Sequence, residues 1–241
     1  MPRGGEPRRA RPAGAPGDPV LYEAWYRHPR GRWMAARELE LLLELLEPAA
    51  GARVLDVGCG TGHFTRALRA AGLESVGLDP HLPSLALARC LDPGGAYVAG
   101  DARALPFPER SFDHAVAVTS LCFVERPWEA LAEMRRVSRG RVVLGLLHRR
   151  SLLHLRKAGR GGYRGARWDR PRDVLAWLRR VVPEGRSLPQ VCFASALLLP
   201  GGGPLARCLE GSRAGRRLAR ERLRGGFLAV AVEPAGAGGG R

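Results

Sequence analysis

The sequence holds one lysine, Lys157, among 39 basic residues, and few aromatics: Phe, Trp and Tyr make up 6% of 241 residues. No apolar run approaches the ~18 residues that span a bilayer. The greasiest stretch, Leu39 to Leu46, is interrupted by Glu40 and Glu44 and flanked by Glu38 and Glu47, so a membrane span is excluded. The opening MPRGGEPRRARPAG has arginines but no apolar segment, and no secretory leader is expected. Five cysteines (Cys59, Cys90, Cys122, Cys192, Cys208) form no CxxC pair, and an odd number suits reduced thiols rather than a disulfide frame or a zinc site. These absences predict a cytoplasmic protein. What is present, 45% apolar and 26% charged residues, suffices for a sizeable core in one larger α/β domain.

The formal net charge of +16 is unevenly spread. Residues 20–134 hold 11 basic and 15 acidic side chains, residues 135–186 hold 16 and 3, and residues 205–224 hold 7 and 2. With 32 Gly and 19 Pro, the arginine excess looks partly compositional. Its clustering in the second half nevertheless suits either a solvated surface or an anionic partner.

Residues 1–19 are Pro, Gly, Arg and Ala with almost nothing to bury and read as a disordered tail. Residues 38–46 (ELELLLELL) read as a helix ended by Pro48. Strands are expected at 53–57, 74–79, 96–100, 112–118 and 141–147, and helices at 63–71, 82–90 and 127–137. This alternation demands a parallel sheet covered on both faces. A Gly- and Arg-rich stretch (157–167) follows, then an amphipathic helix opened by Pro171 with Val174, Leu178 and Val181 on one stripe. Two further strands, 191–199 and 227–232, flank an arginine-rich helical segment at 205–224.

The informative motif is DVGCGTG, Asp56 to Gly62, at the end of the first strand, with Asp79 ending the second. In open α/β sheets ligands sit beyond the carboxyl ends of the strands, where glycines admit a close backbone approach and a carboxylate suits a ribose diol. The spacing is not G-x-G-x-x-G, since His63 stands where that fingerprint has glycine. Asp56, immediately before the loop, suits an ammonium group better than a pyrophosphate. Adenosine joined to an amino acid fits better than a dinucleotide.

The run VLDVGCGTG, then GLDP, then GDARALPFPERSFD resembles the class I S-adenosylmethionine-dependent methyltransferases, in particular their small-molecule, quinone-biosynthesis-like branch (methyltransferase type 11). The resemblance covers residues 53–147. It implies a Rossmann-like, seven-stranded, mostly parallel sheet with helices on both faces and the last strand antiparallel. It also implies S-adenosylmethionine as cofactor, with Asp56, Gly58, Gly60 and Gly62 lining its methionine and ribose side. Asp79 would take both ribose hydroxyls, and Pro80 and His81 would border the adenine. Asp101 would accept from the adenine amino group with Ala102 on the ring, and Val118 and Thr119 would meet the methionine portion. One departure is Ser138-Arg139-Gly140 in place of the family's Lys/Arg-Pro-Gly-Gly turn.

Residues 20–50 resemble the helical N-terminal lid of related members. As a lid, Tyr22, Trp25, Tyr26 and Arg32 would cover the cofactor; simple packing on the core is the alternative. Residues 51–150 would be the methyltransferase core and 151–241 a basic acceptor-side cap with the strands that complete the sheet. A sulfonium is already electrophilic, so in-line placement of the nucleophile supplies much of the acceleration. Where the acceptor must lose a proton, His148, Glu125 and His28 are the weak candidates for a base, and adjacency without chemistry is the more economical reading of each.

The resemblance implies a small-molecule methyl acceptor, for which an anionic or an apolar compound fits. Phe123, Tyr163 and Trp168 could line an apolar acceptor pocket or simply pack. Nucleic acid is disfavoured: the Asn/Asp-Pro-Pro-Tyr/Phe motif, a Pro-Cys pair and aromatic platforms are missing, and one lysine excludes a Lys-Asp-Lys-Glu tetrad. The rival reading is a non-catalytic protein that binds nucleic acid or a carrier protein on a methyltransferase fold. An NAD-dependent oxidoreductase is disfavoured by the loop spacing.

Overall fold

The computed structural model describes residues 18–199 and 203–234. Two helices, α1 (Pro19–Arg27) and α2 (Pro29–Leu46), precede an alternating series. It runs β1 (Arg53–Val57), α3 (His63–Ala70), β2 (Glu74–Asp79), α4 (Leu82–Leu91), β3 (Ala96–Ala99) and β4 (His114–Val118). It continues through α5 (Pro127–Val137), β5 (Val142–Leu147), α6 (Leu152–Lys157), α7 (Pro171–Val181) and β6 (Val191–Ala196). Helices α8 (Pro204–Gly211) and α9 (Arg213–Arg222) then lead into β7 (Phe227–Val232).

The strands form one sheet in the order β3-β2-β1-β4-β5-β7-β6, with β1 to β5 parallel and β7 antiparallel to both β5 and β6. This is the Rossmann-like arrangement the alternation and the family resemblance imply. The strand order reverses between β1 and β4, so a crevice opens beyond their carboxyl ends. Strands β5 and β7 are buried at every residue, which explains why they read as continuous apolar runs. Helices cover both faces. On one, Leu131, Met134, Val174 and Leu178 of α5 and α7 pack on Leu55, Leu144 and Val230; on the other, Leu42 and Leu46 of α2 and Phe64 of α3 pack on Val54, Val116 and Phe227.

Several boundaries differ from the sequence expectation. Helix α2 starts at Pro29 rather than near residue 38, because His28 serves as its N-cap and Pro29 fits its first turn. The strand expected to reach residue 199 ends at Ala196, where Leu197 turns into the left-handed region (φ 66°). The segment expected to be one helix over 205–224 is broken at Ser212, whose hydroxyl caps α9 by accepting from Gly215 N–H. Helix α6 was not legible; Ser151 caps it by accepting from His154 N–H. Of the expected tail, Asp18 and Pro19 instead begin α1, with the Asp18 carboxylate accepting from Val20 N–H, and residues 1–17 lie outside the described residues.

Candidate active site

Beyond the end of β1 the chain makes a tight loop in which Gly58, Gly60 and Gly62 all have positive φ. Gly58 (φ 77°) cannot be replaced without displacement, since a Cβ there would lie 2.3 Å from Ser120 Cβ. Ser120 is fixed in turn: its hydroxyl donates to the Val57 carbonyl at 2.7 Å, tying the end of β4 to the end of β1. The amides of Gly58 and Cys59 both donate to Leu78 O, and the Gly60 amide donates to Asp79 Oδ2 at 2.9 Å. The loop is therefore held against β2 by its own backbone.

Three carboxylates have distinct environments. Asp56 is 1% exposed and accepts a hydrogen bond from Thr65 Oγ1 at 2.7 Å. Burial pushes its carboxyl up to about 7, with the Asp79 charge adding to the effect and the Thr65 bond opposing it. Asp79 is also raised by burial, but the amides of Gly60 and of His81 (2.8 Å to Oδ1) favour its charged form. Asp101 is exposed at the end of β3. Arg103 lies 2.7 Å from its Oδ2 and holds its carboxyl below the usual range.

Helix α1 lies across this loop. Tyr22 and Tyr26 share a hydrogen bond between hydroxyls (2.9 Å), and the Tyr26 ring stacks on His63 with centroids 3.7 Å apart. Glu23, buried, latches the helix down: it accepts from Thr61 Oγ1 at 2.5 Å and from Arg66 Nη2 at 2.6 Å. Arg66 also donates to Thr61 O. The resulting cleft, about 270 Å³, is lined by Tyr22, Tyr26, Asp56, Gly58, Cys59, Gly60, His63, Phe64 and Val118.

The structure thus gathers Asp56, Gly58, Gly60, Val118, Tyr22 and Tyr26 around one cleft and joins Asp79 to it through the Gly60 amide. Gly62 lies behind the loop, facing the Tyr97 ring. Thr119 adopts φ 49° with its amide on Gly145 O. Exposed Pro80, half-buried His81, Asp101 and buried Ala102 lie outside the cleft lining, at the ends of β2 and β3. Trp25 packs on Tyr26 and Arg32 is exposed; neither lines the cleft.

The three base candidates serve structural positions. His28 caps α2, Glu125 is exposed, and buried His148 places Nδ1 3.0 Å from Gly225 O. The Glu23–Thr61–Arg66 latch escaped the sequence reading because its members are 38 and 43 residues apart and carry no periodic signal. All five cysteines are free.

Residues 55–144 match a family model described as a methyltransferase domain. This core is a class I S-adenosylmethionine-dependent methyltransferase domain. The methyltransferase is 38% identical to an uncharacterized protein of Mycobacterium tuberculosis over 158 residues, covering 63% of this chain and 53% of that protein. It is 36% identical to a malonyl-[acyl-carrier protein] O-methyltransferase of Erwinia pyrifoliae over 175 residues, covering 71% and 58% respectively. The chain thus spans about half the length of these curated relatives. Among solved structures, a possible histamine N-methyltransferase from Thermotoga maritima shares the fold, with a TM-score of 0.66 and 23% identity over 89% of this chain and 95% of that one.

Proposed function

We propose that the protein transfers a methyl group from S-adenosylmethionine to a small-molecule acceptor. The observation that carries this is the Asp56 carboxylate: buried at the cleft, hydrogen-bonded to a neutral threonine, and facing a loop without side chains at Gly58 and Gly60. An unpaired buried carboxylate is costly, and an amino-acid ammonium would relieve that cost. The loop suits the rest of the molecule. A Cβ at Gly60 would come within 3.9 Å of Tyr22, so the missing side chain leaves the gap between loop and lid free. Asp79, pinned by two amides and partly buried at the end of β2, retains lone pairs for a ribose diol.

When bound, S-adenosylmethionine supplies an electrophilic methyl on a sulfonium. The chain's contribution is placement: Asp56 and Asp79 fix the two ends, and Val118 closes the side toward β4. The lid tyrosines exclude water. At about 270 Å³ the cleft is smaller than the roughly 300–1,000 Å³ of ordinary small-ligand sites, so Tyr22 and Tyr26 must move outward for entry. Residues 20–50 are accordingly read as a lid, 51–150 as the cofactor core and 151–241 as the acceptor-side cap, within which Tyr163 and Trp168 pack beside Cys122. The free thiols suit a reducing, cytoplasmic setting.

The test is transfer of label from methyl-labelled S-adenosylmethionine into a fractionated cell extract, with Asp79→Ala as the blank. Label in the low-molecular-weight fraction with the wild type alone is the expected result. Label confined to nucleic acid or protein, or none at all, would contradict the small-molecule reading.

A further inference from the structure

Three glutamates are buried: Glu23, Glu38 and Glu210. Two have internal partners. Glu23 holds Thr61 and Arg66, and Glu210 accepts from the Leu198 amide with Arg37 Nε 3.9 Å away. Glu38 makes no hydrogen bond or ion pair among the described residues, although its neighbour Arg37 pairs with Glu40. It sits in the apolar stripe of α2, three or four residues from buried Met34, Ala35, Leu41 and Leu42, on a helix that packs over β5, β6 and β7. A lone carboxylate there gives the fold nothing and costs several kcal/mol if charged.

Its surroundings point to a ligand. The Glu38 charge acts on the hydroxyls of Tyr22, Tyr26 and Tyr163, which places all three rings' polar ends within its electrostatic reach. Tyr22 feels Cys122 and Tyr163 as well. Cys122 lies in the single turn Leu121–Phe123 just past β4, the strand whose Val118 lines the cofactor cleft. Tyr22 therefore divides the cofactor cleft from an adjoining space walled by α1, α2 and the turn at Gly161–Tyr163.

We propose that this space is the acceptor site and that Glu38 is its proton acceptor, taking the proton from a small aromatic or aliphatic amine. The proposal rests on the methyl-transfer reading. The ammonium of the acceptor gives one proton to the Glu38 carboxylate, which becomes a neutral acid. The freed lone pair forms a bond to the sulfonium methyl carbon as the carbon–sulfur bond breaks, its electron pair going to sulfur. Products are the methylated ammonium and the neutral thioether. The tyrosine rings favour a cation over their faces, and the same carboxylate repels an anionic acceptor. The anionic acceptor that the basic surface suggests is thereby set aside.

Burial raises the Glu38 carboxyl to about 8, close to the working pH that suits a general base. The titratable groups facing it are Tyr22 and Tyr26 from α1 and Tyr163 from the cap, with Arg30 acting on Tyr163; burial holds the three tyrosines protonated in this range.

The test is calorimetric titration of the full chain, saturated with S-adenosylhomocysteine, with phenethylamine, phenethyl alcohol and hydrocinnamate. The wild type is expected to bind the amine at least about tenfold tighter than the alcohol and hydrocinnamate weakest of all. Glu38→Gln is expected to erase the preference while leaving S-adenosylhomocysteine affinity intact. On the wild type alone, amine affinity should rise about tenfold from pH 6.5 to 8.5 while alcohol affinity stays flat, which decides the matter if the variant does not fold. Equal affinity for the three compounds, no measurable binding of any, or a preference retained in Glu38→Gln would overturn the assignment. Failure of S-adenosylhomocysteine itself to bind would instead overturn the methyl-transfer reading.

Discussion

The two halves of the molecule use charge in opposite ways. Up to β4, acidic residues are drawn inward: Glu23, Glu38 and Asp56 are buried, and Asp79 is half-buried under two amides. From α5 onward arginines dominate, and many of them (Arg149, Arg150, Arg156, Arg160, Arg164) are exposed. A few are structural. Arg167 bonds to Asp169, to Leu121 O and to Val124 O and lies 4.9 Å over the Trp177 ring, and Arg180 lies 4.3 Å over Trp128. Charge that is buried and sparsely paired marks the chemistry here, whereas the larger surface charge carries little information about it.

The largest expected effect separating the halves is at Gly58. Gly58→Ala forces a Cβ into Ser120 at a left-handed position and should cost about 3 kcal/mol, with loss of cofactor binding, measured by thermal melting and titration. Next is Asp56→Asn, which removes a buried charge while keeping an acceptor for Thr65. It should lower S-adenosylhomocysteine affinity at least about tenfold and raise the melting temperature of the free protein at pH 8.

That prediction has a pH counterpart. The folded-state Asp56 carboxyl, at about 7, lies above its unfolded value near ~4, so folding takes up protons between them. The stability of the free protein contributed by this group is full below about pH 4 and is lost as pH rises through about 7. Glu38, at about 8, acts in the same direction slightly higher. Cofactor binding should therefore raise the melting temperature more at pH 8 than at pH 5.5, and the pH dependence should flatten in Asp56→Asn.

A smaller effect is expected at the latch. Glu23→Ala frees Arg66 and Thr61 and should speed cofactor dissociation about tenfold in stopped-flow displacement. The smallest is in the basic half. Arg160→Ser with Arg164→Ser should shift stability by no more than about 0.5 kcal/mol and leave cofactor affinity unchanged. A large effect there would break the contrast between the halves.

Most of the core was legible because its signals are local: the glycine loop after a β-branched strand, Pro at the first turn of α5 and α7, and unbroken apolar runs in β5 and β7. What escaped was tertiary. Helix α2 starts nine residues before its apolar periodicity, because His28 and Pro29 make its beginning and Gly31 lets it cross α1, where a Cβ would stand 2.0 Å from Trp25 O. Glu38 read as the polar edge of a surface helix; only the packing of α2 on the sheet turns it inward. His148, Glu125 and His28 drew notice by residue type near strand ends, but a capping bond, solvent exposure and a backbone carbonyl occupy them instead.

The central claim is that the cleft between the glycine loop and α1 holds S-adenosylmethionine through Asp56 and Asp79. Calorimetric titration with S-adenosylhomocysteine, beside NAD and an Asp79→Ala variant whose melting curve is recorded in parallel, tests it most directly. The account predicts one-to-one micromolar binding by the wild type, at least about tenfold weaker binding by the folded variant, and none of NAD. Absence of binding by folded wild-type protein, or NAD binding in its place, would contradict it.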